Sequence, residues 1–126
     1  MSVAFVDTSV LLALAFREPH ATNLARRMTE FGTIYASDLL EAELRSACRR
    51  EHAPVDMTMI DELEVVVPPR SLREEISRVL AAGYVRGADC FHLATALLIA
   101  PEPAAIVFLT LDRRQREVAT ALGFAT

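Results

Sequence analysis

Four carboxylates in this chain stand where an ionised group is expensive. Asp7 closes the apolar run Val3-Ala4-Phe5-Val6, and Asp112 closes the run from Ile106 to Leu111. Asp89 opens the almost wholly apolar stretch from Cys90 to Ala100. Glu43 sits beside the stripe of Leu39, Leu40, Leu44 and Ala47. A buried ionised carboxylate is tolerated only when it is paired, hydrogen-bonded or bound to a metal. Several of them with few neighbouring cations point to a divalent ion. An all-oxygen donor set suits Mg²⁺ or Mn²⁺, whereas zinc would call for His or Cys.

Each acid also has a purely structural reading. Asp7 follows a strand and precedes a helix, so it can serve as an N-cap. Asp112 and Gln115 read as a capping box for the last helix, and so do Asp38 and Glu41 for the helix that carries Glu43. Glu41 then pairs along a solvated face with Arg45. At 100° per residue, Glu43 falls instead beside the core stripe, with Arg50 as the nearby base on its side. Asp89 can cap its helix or sit in the first turn. His92, one turn further on, reads as a hydrogen-bonded core histidine rather than a ligand. No acid decides the matter singly. Together they are two strand-end and two helix-borne carboxylates that one edge of a sheet can gather.

The elements needed to gather them are legible. Strands are expected at Val3–Val6, Thr33–Ala36, Val65–Val67 and Ala105–Leu111, with a weak fifth at Phe124–Ala125. Helices are expected at Thr8–Phe16, Ala21–Phe31, Asp38–His52, Val55–Leu63, Ser71–Ala82, Ala88–Ala100 and Arg113–Leu122. Gly32, Pro54, Pro68-Pro69, Gly83, Gly87, Pro101 and Pro103 all fall between them. Strands that are continuously apolar and alternate with helices imply an α/β sandwich, a mostly parallel sheet of four or five strands with helices on both faces. Ligand sites in such sheets lie beyond the carboxyl ends of the strands, where Asp7 and Asp112 stand.

A chain of 126 residues with 52% hydrophobic and 24% charged side chains is one globular domain, spanning 1–126. Cys48 and Cys90 are widely spaced, which fits core thiols in a reducing compartment. The apolar N-terminus holds Asp7 and lacks a basic leader, and Pro101-Glu102-Pro103 breaks the longest later apolar run. Neither a signal peptide nor a membrane span is expected, so the location expected is cytoplasmic. Net charge of −4 argues against nucleic acid at first sight, but two divalent ions in the acidic cluster would cancel it. All 13 basic side chains are arginine. Genome composition accounts for that; so would bidentate phosphate contacts.

With these acids in this order, the chain resembles PIN-domain ribonucleases of the VapC toxin type. The resemblance is carried by Val6-Asp7-Thr8-Ser9, by Ser37 to Arg45, by Ala88 to Ala96, and by Leu109-Thr110-Leu111-Asp112-Arg113. It implies a PIN-like three-layer fold and Mg²⁺- or Mn²⁺-dependent cleavage of single-stranded or looped RNA. It also implies a homodimer, and a small antitoxin protein that blocks the acidic pocket. Asp7 and Asp89 would hold the main ion and Glu43 would position it or the attacking water. Asp112 would serve a second ion or a water, with Thr8, Ser9 and Thr110 as supporting hydroxyls. Arg113, Arg114 and Arg116 are candidate RNA contacts.

Other classes stay open at this level. A non-catalytic RNA- or protein-binding module could keep the fold. A receiver-type phosphoacceptor has a strand-end Asp beside Mg²⁺, but it also uses a lysine, which this chain lacks. A haloacid-dehalogenase phosphatase would need a second Asp where Ser9 stands. The glycines are isolated, so no phosphate-cradling loop is encoded.

Overall fold

Four short apolar runs become parallel strands. The computed structural model describes residues 2–126. Val3–Val6 (β1), Thr33–Ser37 (β2), Glu64–Val66 (β3) and Val107–Leu109 (β4) form one sheet in the order β3-β2-β1-β4. Every pairing is parallel, and Phe5 lies opposite Tyr35 on one side and Phe108 on the other. Parallel neighbours need long crossovers, which the helices supply. These are Thr8–Ala15 (α1), Ala21–Met28 (α2), Leu40–Arg50 (α3), Thr58–Asp61 (α4), Arg73–Ala82 (α5), Gly87–Ile99 (α6) and Arg113–Leu122 (α7).

Side-chain alternation along β1 divides the interior in two. Phe5 enters a core with Val79 of α5, Leu93 and Leu97 of α6, Val118 of α7, and Phe108 and Phe124. Ala4 and Val6 face the other way, toward Val10 and Leu11 of α1, Leu40 and Leu44 of α3, and Ile60 of α4. The result is the expected three-layer sandwich. Cys90 belongs to the first core and Cys48 to the second, so the sheet separates the two free thiols.

The expected elements form with trimmed ends, for local reasons. The helix expected over Val55–Leu63 shrinks to Thr58–Asp61, because Asp56 Oδ1 accepts from the Thr58 amide at 3.0 Å and holds the preceding turn. The strand expected over Ala105–Leu111 loses its start to a 3₁₀ turn at Pro103–Ala105, and its end to the turn into α7. The expected fifth strand is a single parallel bridge, Val107 to Ala125. The Asp38–Glu41 capping box does not form. β2 runs on to Ser37, the Ser37 hydroxyl accepts from the Leu39 amide at 3.2 Å, and α3 starts at Leu40 without a side-chain cap. Glu41 does pair with Arg45, at 3.0 Å.

Because β2 and β4 flank β1 on opposite sides, the chain reverses its direction of winding between β1 and β4. A crevice opens at the carboxyl ends of the strands at such a reversal. The core behind it is aromatic: Phe5 and Phe108 stack with centroids 5.6 Å apart, and both are fully buried. Phe108→Ala is expected to lower unfolding free energy in urea by about 3–5 kcal/mol. Val67→Ser, at a residue 70% exposed, should change it by less than about 0.5 kcal/mol.

Candidate active site

Asp7 leaves the end of β1 and enters the crevice only 2% exposed. Its Oδ1 accepts from the Ser9 amide at 3.1 Å and the Ser9 hydroxyl at 2.6 Å; its Oδ2 accepts from the Thr110 hydroxyl at 2.6 Å. Asp7 is therefore an N-cap, as its position suggests, and more than one. The Thr110 bond ties the end of β1 to the end of β4. Burial nevertheless holds the Asp7 carboxyl above the usual carboxylate range, against the hydrogen bonds from Ser9 and Thr110.

Glu43 is held from two other directions. Its Oε1 accepts from the Thr8 hydroxyl at 2.7 Å and lies 2.6 Å from His92 Nε2. On the far side of the ring, His92 Nδ1 meets the Ser37 hydroxyl at 2.8 Å. An ionised carboxylate can only accept, so Nε2 carries the proton toward Glu43. Burial raises the Glu43 carboxyl. The hydrogen bonds from His92 and Thr8, with the charge His92 carries when protonated, outweigh that and leave it below its ordinary value. The expected partner Arg50 is turned instead to Glu51, at 3.1 Å. His92 is the core histidine that the sequence suggests, but its task is to fix Glu43. Its partners could not be named from the sequence. The one available signal was spacing, since His92 shares a helix face with Asp89 three residues earlier.

Asp89 lies in the first turn of α6 and is half-buried. Its carboxyl is raised, first by burial, then by the charges of Asp112, Asp7 and Glu43, with His92 opposing them. Asp89 thus feels the other three acids together. Asp112 caps α7 by accepting from the Gln115 amide at 2.8 Å. The other half of that capping box is missing. The Gln115 side chain is buried and directs its Nε2 to the Asp89 carbonyl at 3.5 Å, leaving Oε1 without a partner.

All four acids line one cleft of about 680 Å³, together with Thr8, Ser9, Ser46, His92, Arg50 and Arg86. That is within the range of ligand sites. A more apolar groove, bordered by Leu14, Met28 and Phe31, lies elsewhere and holds none of these acids. None of Arg113, Arg114 and Arg116 lines the acidic cleft. Arg113 pairs with Glu117 at 3.2 Å, and Arg116 donates to the Thr110 carbonyl at 2.7 Å, which braces the residue that holds Asp7. Arg50 and Arg86 occupy the cleft wall instead.

Among the described residues, no three His, Cys, Asp or Glu side chains are grouped closely enough to hold a metal ion as they stand. The donor chemistry still fits a hard cation. The four donors are carboxylates, two hydroxyls orient Asp7, and the excess negative charge at Asp89 is of the kind a divalent ion offsets.

The PIN domain model matches residues 4–121. The chain belongs to the PIN domain family. It is also 27% identical to Ribonuclease VapC46 of Mycobacterium tuberculosis, over 99% of this chain and 96% of the relative. The acids of this PIN domain span nearly the whole matched segment, from Asp7 to Asp112.

The raised Asp89 carboxyl gives a signed pH effect. A carboxyl whose folded pKa exceeds its unfolded one stabilises fully below the unfolded value, and that contribution is lost as pH rises through the folded value. In EDTA, Asp89→Asn should therefore melt above wild type at about pH 7.5. The difference should shrink on acidification, as the wild-type carboxyl gains its proton. Differential scanning calorimetry across that range checks it; a difference that is constant or grows on acidification would contradict the assignment.

Proposed function

We propose that this PIN domain is a divalent-metal-dependent endoribonuclease cutting single-stranded or looped RNA, the toxin partner in a toxin–antitoxin pair. The observation that carries the reading is the convergence of Asp7, Glu43, Asp89 and Asp112 on one cleft, with their orientations set by neighbouring hydroxyls and a histidine. Membership in the PIN family and the similarity to a ribonuclease support it. A homodimer acting in the cytoplasm, and a small antitoxin protein occupying the acidic cleft, complete the proposal. Among the described residues, no helix is long and apolar enough to cross a membrane.

Asp7 and Asp89 are the residues that would hold Mg²⁺ or Mn²⁺, with Asp112 and Glu43 beside them. Such an ion, when bound, lowers the pKa of a water and shields charge on a phosphate. The chain's own groups set the geometry. Ser9 and Thr110 prevent rotation of the Asp7 carboxylate by engaging both oxygens. His92 and Thr8 share Oε1 of Glu43, which leaves Oε2 to orient a water or take its proton. Arg50 and Arg86 on the cleft wall supply cations for phosphates flanking the scissile one. No side-chain nucleophile is required.

The test is incubation of purified protein with a panel of structured RNAs in Mg²⁺, Mn²⁺ or EDTA. Cutting should need the metal and fall by about a hundredfold or more in Asp7→Asn and Asp89→Asn. The ion should also raise the wild-type melting temperature, by the equivalent of about 2.7 kcal/mol at a hundredfold excess over Kd, and do so little in the double variant. Equal thermal shifts in both proteins, or RNA cutting that survives both substitutions, would defeat the proposal.

A further inference from the structure

Tyr84 is a large aromatic residue 67% exposed on the segment between α5 and α6. Single exposed hydrophobics are ordinary, but this one is not alone. The Arg114 guanidinium lies over its ring, 5.7 Å from the centroid, within cation–π range. Arg114 is two residues past Asp112, and Tyr84 is two residues before Arg86; both Asp112 and Arg86 line the acidic cleft. Two residues of extended chain span about 7 Å at most, so the backbones of Tyr84 and Arg114 each lie within that distance of a residue that lines the cleft.

The fold builds this pairing deliberately tight. Gly83 ends α5, and a Cβ there would meet Val118 of α7 at 3.0 Å. A Cβ at Gly83 would require the Val118 side chain to give by a few tenths of an ångström. Charge points the same way. Acids outnumber arginines by 17 to 13, yet neither Arg86 nor Arg114 takes part in a salt bridge among the described residues. Arg113, next along, is paired with Glu117. Arg86 on the cleft wall thus has no acidic partner among the described residues, and two residues before it stands a ring that remains 67% exposed with the unpaired Arg114 guanidinium over it.

We propose that Tyr84 and Arg114 form a stacking platform for one unpaired RNA base beside the scissile phosphate, with Arg86 contacting the intervening backbone. The inference rests on the ribonuclease reading and adds to it a subsite for the base. Unpaired bases are bound by stacking on aromatic rings and on Arg planes, and any base offers a face to stack. The platform favours single strands over duplexes, whose bases are already stacked.

The experiment is a set of single-stranded RNA substrates, each carrying one abasic position, cleaved by the full chain in Mn²⁺. In wild type, one abasic position near the cut should raise KM about tenfold and leave kcat nearly unchanged. Tyr84→Ala should raise KM on intact RNA by a similar factor and lose nothing further at that abasic position. Tyr84→Phe should behave as wild type, and Arg114→Gln should show a smaller rise in KM. An abasic penalty that persists undiminished in Tyr84→Ala would overturn the platform. So would an unchanged KM, or a Tyr84→Ala defect confined to oligomeric state as seen by sedimentation. RNA cutting with no Tyr84 dependence removes the platform alone; failure of wild type to cut any RNA in metal removes the ribonuclease reading and the platform with it.

Discussion

The Asp7 carboxylate, gripped on both oxygens at the junction of β1 and β4, is the interaction from which the rest of the site is organised. Ser9 holds one oxygen from the first turn of α1, and Thr110 holds the other from the end of β4. The Ser9 hydroxyl in turn accepts from the Leu111 amide at 2.9 Å, and the Thr110 hydroxyl from the Asp112 amide at 3.0 Å. One buried anion thus sets the path of the chain from β4 into α7, and with it the place of Asp112. Burying that charge costs stability, which the hydrogen bonds from Ser9 and Thr110 offset only in part, since Asp7 still resists ionisation. Local instability at a site is the usual companion of a group meant to meet a ligand.

A second arm of the same design runs from Ser37 through His92 to Glu43. It connects the end of β2 and the first turn of α3, neighbours in sequence, through the interior of α6, 49 residues beyond Glu43. The two arms meet at Thr8, which donates to Glu43 while lying next to Asp7. Orientation of the acids therefore does not depend on an ion being present. Their mutual repulsion, felt most clearly at Asp89, is the part that a cation would relieve.

Much of this is legible in the sequence. Continuous apolar runs such as Val3–Val6, alternating with helical patterns, announce a parallel sheet, and a parallel sheet places all strand ends on one edge. That rule alone brings Asp7 toward Asp112. What could not be read were pairings set by the third dimension. Arg50 looked like the partner of Glu43 because both lie on α3, yet His92, 49 residues away, takes that place through packing of α6. The Asp38–Glu41 box matched a pattern, but Ser37 was already bound into β2 and His92, so the chain turned differently. Arg86 sits on a non-repetitive segment where no periodicity speaks. The Gln115 side chain likewise satisfied a capping motif on paper, and the buried space between α6 and α7 drew it inward.

The single bridge from Val107 to Ala125 and the prolines that follow β3 have a further effect on how copies of this molecule can meet. On one flank, Phe108 donates its amide to the Ala125 carbonyl at 2.8 Å, so the C-terminal segment already occupies that border of the sheet. On the other, only Glu64–Val66 are exposed as a strand before Pro68-Pro69 withdraw two amide donors. Neither rim offers a long row of free backbone groups on which a foreign strand could grow. Association between molecules must then be written in side chains, where sequence can specify the partner, instead of in the peptide backbone, which is the same in every protein.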